Sequence, residues 1–173
     1  MLRKTLTSII LLISLSSKAQ FGSDGYIINI KPAGNTQLVI TLAGNNIELQ
    51  TNTFSDNQKW RMVSVSQNDN KYYLQSVSQP NKYISIGYNV GGCTPSSQNG
   101  AFLTIENFSS SVANRWQFKK AALFWKKIYI KNIFCTGIEY SINVPNGNNS
   151  NGQRLSLYNY NNSENQKWKI QIF

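Results

Sequence analysis

Three times along the chain an amide side chain stands two positions before a tryptophan: Gln58-Lys59-Trp60, Asn114-Arg115-Trp116 and Gln166-Lys167-Trp168. The tryptophans lie 56 and 52 residues apart. Two of the three sites are near copies, Asp56-Asn57-Gln58-Lys59-Trp60 and Glu164-Asn165-Gln166-Lys167-Trp168. Self-similarity at a nearly fixed period is the signature of a repeat architecture and outranks local propensity. The chain is therefore expected to be three variants of one unit.

Residues 1–19 stand apart from these units. They have a basic start (Arg3, Lys4), an apolar run from Ile9 to Leu15 and a small residue, Ala19, at a cleavage point, the pattern of a secretory signal peptide. The run is shorter than the roughly 18 to 20 residues that cross a bilayer. The expectation is a secreted protein, extracellular or periplasmic, whose residues 20–173 form a single domain large enough for a proper core. The formal charge of +10 becomes +7 once Arg3, Lys4 and Lys18 are set aside. The remaining bases are scattered, paired only at Lys119-Lys120 and Lys126-Lys127, and form no block suited to specific nucleic-acid binding.

Short β-type runs alternate with turn clusters through the rest of the sequence. Twelve are legible, four to a unit, with units at about 21–64, 65–120 and 121–173. The 23 asparagines gather in turn-forming stretches such as Pro145 to Gly152. Ala121 to Trp125 is the one place where a turn of helix fits the pattern. A second period accompanies the first: 25 residues beyond Trp60 and Trp116 lie Ser85 and Ser141, each beside an isoleucine in a strand-like run. The matching run of the first unit is Leu38 to Thr41.

Residues two apart on a strand share a face, so each amide is expected to point the same way as its tryptophan. Three buried indoles make a common core, each contributing a few kcal/mol at roughly 25 cal/mol per Å². The amide beside each would bond neighbouring backbone and fix the turn before it. Trp60, Trp116 and Trp168 are thus read as structural. The residue before the amide faces the other way, which makes Asn57 and Asn165 candidates for an outward polar contact, whereas Ala113 makes none.

Three four-stranded units, each ending on an amide-x-Trp strand, resemble the β-trefoil of the ricin B-chain-like (R-type) lectins over the whole of residues 20–173. The resemblance implies an all-β fold of three repeats with pseudo-threefold symmetry, each able to carry one shallow sugar pocket. Such a pocket has an Asp on the second strand, an aromatic platform ending the third, and an Asn before the Gln-x-Trp. A sugar's C–H face packs on the ring while its hydroxyls bond to the amides and carboxylate.

The resemblance makes the third unit the best equipped, with Tyr158 as platform, Asn165 and Gln166 behind it, and Ser141 at the Asp position. The first unit keeps Asn57 and Gln58 but has Gln50 at the platform and Ile40 at the Asp position. The second has Ser85, Glu106 and Ala113. No unit keeps the carboxylate, and losing a charge-assisted contact weakens a pocket by about 1.5 to 3 kcal/mol. Tyr158 also reads as a residue packed on the barrel cap, Asn165 as turn chemistry, and Ser141 and Ser85 as half-buried strand positions.

Catalysis is not expected. The chain has no histidine, the commonest general base, and its seven carboxylates form no spaced motif. No phosphate loop, dinucleotide fingerprint or zinc spacing occurs. Two cysteines without histidine make a poor metal site, and no cofactor is implied. Cys93 and Cys135 read equally as a disulfide staple and as two unrelated thiols. The partners expected are glycans or glycoconjugates. The alternatives are a protein contacted through the long loops Gly87 to Gly100 and Pro145 to Gly152, and anionic polysaccharide on the basic surface.

Overall fold

Six strands pair edge to edge until the sheet closes on itself. The computed structural model describes residues 25–66, 70–87, 99–108, 114–121, 127–133 and 137–173. Residues 1–19, both cysteines, the 122–126 stretch and most of the loop from Gly87 to Gly100 lie outside the described residues. The strands are β1 (Ile27–Pro32), β2 (Leu38–Ala43), β3 (Asn46–Thr51), β4 (Trp60–Ser64), β5 (Lys71–Ser76), β6 (Lys82–Ser85), β7 (Thr104–Asn107), β8 (Trp116–Lys120), β9 (Ile128–Asn132), β10 (Tyr140–Asn143), β11 (Gln153–Arg154), β12 (Ser156–Asn159) and β13 (Trp168–Ile172).

The closed ring runs β1·β4·β5·β8·β9·β13 and back to β1, antiparallel throughout. Hairpins β2·β3, β6·β7 and β10·β12 lie outside this ring and touch one another through Asn46↔Thr104, Phe102↔Ser156 and Arg154↔Glu48. A barrel of six with a cap of three hairpins is a β-trefoil. Closure removes the exposed edges that invite aggregation.

The thirteenth strand arises because the third strand of the last unit is divided at Leu155, giving β11 and β12. Leu155 turns its N–H to the carbonyl of Ile47 and gives its own carbonyl to Leu103 N–H, both at 2.9 Å, so its backbone serves two neighbouring hairpins.

All three motif tryptophans are fully buried. Each indole N–H donates to the carbonyl of an isoleucine on the second strand of its own unit: Trp60 to Ile40 at 3.0 Å, Trp116 to Ile84 at 3.1 Å and Trp168 to Ile142 at 3.2 Å. A buried indole N–H needs an acceptor, and this one ties the hairpin to the barrel wall. Around them pack Ile28, Ile30, Leu74, Phe118 and Ile130 from the barrel and Ile47, Leu49, Leu103 and Leu157 from the cap.

The amides Gln58 and Gln166 are buried as expected, but neither sits on a strand. Both end 3-10 turns, Asp56–Gln58 and Glu164–Gln166, that lead into the tryptophan strand. Gln58 Oε1 accepts from Thr53 N–H at 2.8 Å while its Nε2 donates to Thr51 O at 2.8 Å. Gln166 repeats the pattern with Asn161 N–H at 2.9 Å and Asn159 O at 2.8 Å. Asn114, one methylene shorter, is equally buried yet neither end of its amide finds a partner among the described residues.

The outer wall of the third unit carries the best-braced acid. Glu139 accepts from Lys119 at 2.8 Å, Lys131 at 2.9 Å and the Tyr129 hydroxyl at 3.3 Å. The Tyr129 ring stacks on Tyr160 with centroids 3.9 Å apart. The hydrogen bonds from Lys119 and then Lys131 hold the Glu139 carboxyl down at about 2, against a partial desolvation that works the other way.

Two consequences can be measured by chemical denaturation. Gln166→Ala removes two part-buried hydrogen bonds, from Asn161 N–H and to Asn159 O, and should cost about 2 kcal/mol, whereas Asn114→Ala removes no hydrogen bond among the described residues and should cost less than about 1 kcal/mol. Because the folded pKa of Glu139 is depressed, its ion pairs stabilise above about pH 4.5 and that contribution fades as pH falls to about 2. Glu139→Gln should therefore be less stable than wild type by about 1 kcal/mol at pH 7, discounted for partial exposure. The two proteins should converge near pH 2.

Candidate functional site

The tryptophan bonds give the register that aligns the three units. The acceptors Ile40, Ile84 and Ile142 are equivalent, so the polar residue following each is equivalent too: Thr41, Ser85 and Asn143. Ser141, expected to match Ser85, lies two residues too early. The forward distance from tryptophan to the next acceptor is 24 residues from Trp60 to Ile84 and 26 from Trp116 to Ile142, so an equal count from each tryptophan slips by two where the connections through β5 and β9 differ in length.

Ser141 is completely buried, and its hydroxyl donates to the carbonyl of Ile142 at 3.3 Å. It offers nothing to a ligand from solvent. The platform positions align as read from the sequence, since Gln50, Glu106 and Tyr158 pair with Val39, Tyr83 and Ser141 at matching rungs.

In the third unit an exposed ring shares a hairpin face with two linked amides, of which Asn143 is itself buried. Tyr158 on β12 is 43% exposed. Asn165 Nδ2 donates to Asn143 Oδ1 at 2.8 Å and to Val144 O at 3.2 Å, while Val144 N–H returns a bond to Asn165 O at 2.9 Å. Gln166 lies beneath, its Nε2 3.4 Å from Tyr158 O and 2.8 Å from Asn159 O, and so fixes the strand end that carries the ring. Beside them Glu164 accepts from Lys127 and Lys167 at 2.7 and 3.0 Å, bonds that lower its pKa and pin the turn. Asn162, at φ +62°, takes the left-handed turn that an Asn side chain tolerates.

The first unit spends the same groups on itself. Asn57 Nδ2 donates to Leu42 O at 3.1 Å and its Oδ1 accepts from Ser55 at 2.6 Å. Gln58 also reaches Thr41 Oγ1 at 3.3 Å, and the Thr41 hydroxyl turns to Val39 O at 3.1 Å. No ring stands at the platform, where the residue is Gln50. Asn57 and Gln58 thus belong to the loop's internal bonding. In the second unit Ser85 donates to Glu106 Oε2 at 2.7 Å, which closes polar position and platform onto each other. Ala113 lies outside the described residues.

Asn143 is the residue the sequence reading missed. Its signal was present: each acceptor isoleucine is followed by a side chain able to hydrogen-bond, Ile40-Thr41, Ile84-Ser85 and Ile142-Asn143. Alignment on that dipeptide rather than on a constant spacing finds it. Among the described residues no group of three or more His, Cys, Asp or Glu is placed to hold a metal ion, and no helix is long and apolar enough to cross a membrane.

Comparison with known proteins agrees with this architecture. The family profile of the Clostridium botulinum HA-17 domain matches residues 15–98. A search of curated protein sequences finds no match. Among solved structures, the designed threefold-symmetric protein ThreeFoil superposes with a TM-score of 0.69 at 18% identity, over 83% of this chain and 96% of its own. The ricin B-like lectin of Macrolepiota procera, solved with lactose, gives 0.68 at 20% identity over 87% of this chain and 98% of its own. The Rhizoctonia solani agglutinin gives 0.68 at 21% identity over 88% and 99%. The chain has the β-trefoil fold that the ricin B-like lectins share.

Proposed function

We propose that this chain is a secreted carbohydrate-binding module, without catalytic activity, that binds glycans weakly through one shallow pocket in its third unit. The observation that carries the reading is that the exposed Tyr158 ring shares a face of the β10·β12 hairpin with Asn143, whose buried amide is linked to Asn165. A pyranose laid on the ring would bury its C–H face there and present hydroxyls to the amides. Gln166 acts from below by holding the strand and turn in place.

Asn143 stands where the resemblance calls for a carboxylate. An amide oxygen accepts a weaker bond than a charged one, and this oxygen already accepts from Asn165. Affinity for a single sugar is therefore low. The first and second units, whose polar groups are satisfied internally, do not contribute. The complete absence of histidine supports binding rather than turnover.

Lactose, the sugar in the Macrolepiota procera complex, is a direct probe. Titration followed by calorimetry or NMR should show weak binding that is insensitive to salt and weakened at least tenfold in Tyr158→Ala. Asn143→Asp should strengthen it about tenfold by restoring a charged acceptor. Binding unchanged in Tyr158→Ala would overturn the site assignment.

A further inference from the structure

The outer face of the cap continues past Tyr158. Leu155 and Leu157 are buried in the core, so Arg154, Ser156 and Tyr158 alternate with them on the opposite face, where Arg154 and Tyr158 reach solvent while Ser156 between them is covered. Ser156 bridges across to Phe102, which belongs to the neighbouring hairpin and is 45% exposed. The segment bearing Phe102 is fastened alongside β12 by Gly100 N–H to Leu157 O, Leu157 N–H to Ala101 O and Asn159 N–H to Asn99 Oδ1, all at 2.8 Å. Two exposed rings from different units thus stand on one rigid surface.

Arg154 completes that surface. Its guanidinium carbon lies over the Phe102 ring, 4.2 Å from the centroid. Its Nε is buried and has no hydrogen-bond partner among the described residues. Glu48 is its partner in the ladder, yet the guanidinium leans onto the ring, and no carboxylate among the described residues comes within ion-pair distance of it. This contrasts with Lys59, Lys119, Lys127, Lys131 and Lys167, each held by an acid.

A stacked guanidinium with unused donors is a fork for a planar anion, and carboxylate is the anion whose geometry it fits in bidentate fashion. Stacking on Phe102 holds the fork in place before any ligand arrives. Arg154 and Tyr158 are four residues apart along an extended run, about 13 Å at the usual strand rise. That separation exceeds one sugar ring and suits an oligosaccharide lying from ring to ring.

We propose that Phe102 and Arg154 form a second subsite continuous with the Tyr158 pocket, and that the ligand is an acidic oligosaccharide whose carboxylate is taken by Arg154. The inference rests on the Tyr158 pocket proposed above. Its equivalents in the other units differ: Arg154, Phe102 and Asn46 occupy matching places in the three hairpins, just before the buried Leu155, Leu103 and Ile47. Only the junction between the second and third units combines a cation, a stacked ring and an exposed tyrosine.

The test compares tri-galacturonate with its carboxyl-reduced, neutral counterpart, titrated into wild type, Arg154→Gln, Arg154→Lys and Tyr158→Ala at low and physiological salt. Wild type should prefer the acidic trisaccharide by about tenfold or more. Arg154→Gln should lose the preference while keeping its affinity for the neutral sugar, and Arg154→Lys should keep part of it. Tyr158→Ala should weaken both ligands by a similar factor. Equal binding of the two sugars by wild type, with both lost in Tyr158→Ala, overturns the acidic subsite and leaves the pocket standing. A preference that survives Arg154→Gln and collapses with salt also overturns it, in favour of the diffuse basic surface. Failure of both sugars to bind overturns both readings.

Discussion

Everything in this fold hangs on one hydrogen bond made three times, from a buried indole to the carbonyl of an isoleucine on the second strand of the same unit. The indole is the largest side chain buried in each unit's core, and its N–H cannot be left unpaired there. Satisfying it fixes where the hairpin crosses the barrel strand. That crossing determines which residues of the second strand turn outward, and the outward residues are those that any ligand would meet.

The three units are therefore alike where they meet the core and unlike where they meet solvent. Thr41 and Gln58 close on each other, Ser85 closes on Glu106, and in the third unit the buried Asn143 is linked to the half-buried Asn165 while Tyr158 stands exposed beside them. The same holds one layer further out. The positions that carry the stacked Tyr129–Tyr160 pair in the third unit carry Tyr73–Phe108 in the second and Asn29–Asn52 in the first. Here the amide contact is long, at 3.4 Å, and leaves Asn29 Oδ1 unpaired. Such replacements are tolerated because none of them touches an indole or its acceptor.

The repeat, the strand content and the inward sense of the amide and tryptophan were legible because they are local and periodic. A Gln two residues before a Trp fixes a turn within a span of about ten residues, and the spacing of Trp60, Trp116 and Trp168 survives the variation in loop length. The placement of Ser141 failed for the opposite reason: it assumed an equal distance from each tryptophan to the second strand of the next unit, and that distance is two residues longer from Trp116 than from Trp60. The 3-10 turns that carry Gln58 and Gln166 escaped because three residues leave no periodic trace. Phe102 and Arg154 carry no sequence signal as a pair, since 52 residues separate them and only the contact between hairpins brings them together.

Closure of the barrel also shapes how the chain reaches this state. The tryptophan strand of each unit pairs with the first strand of the next, Trp60 with Ser76, Trp116 with Asn132, and Trp168 with Pro32 from the far end of the sequence. No unit can complete its own wall, so the three must assemble together. The β1·β13 ladder joins strands at opposite ends of the chain, the largest loop-closure cost in the molecule, which places folding in the slow, topology-limited regime of milliseconds to seconds. A circular permutant that links these two strands and opens the chain between β4 and β5 would make that ladder local, and its refolding rate would report how far barrel closure limits the natural sequence.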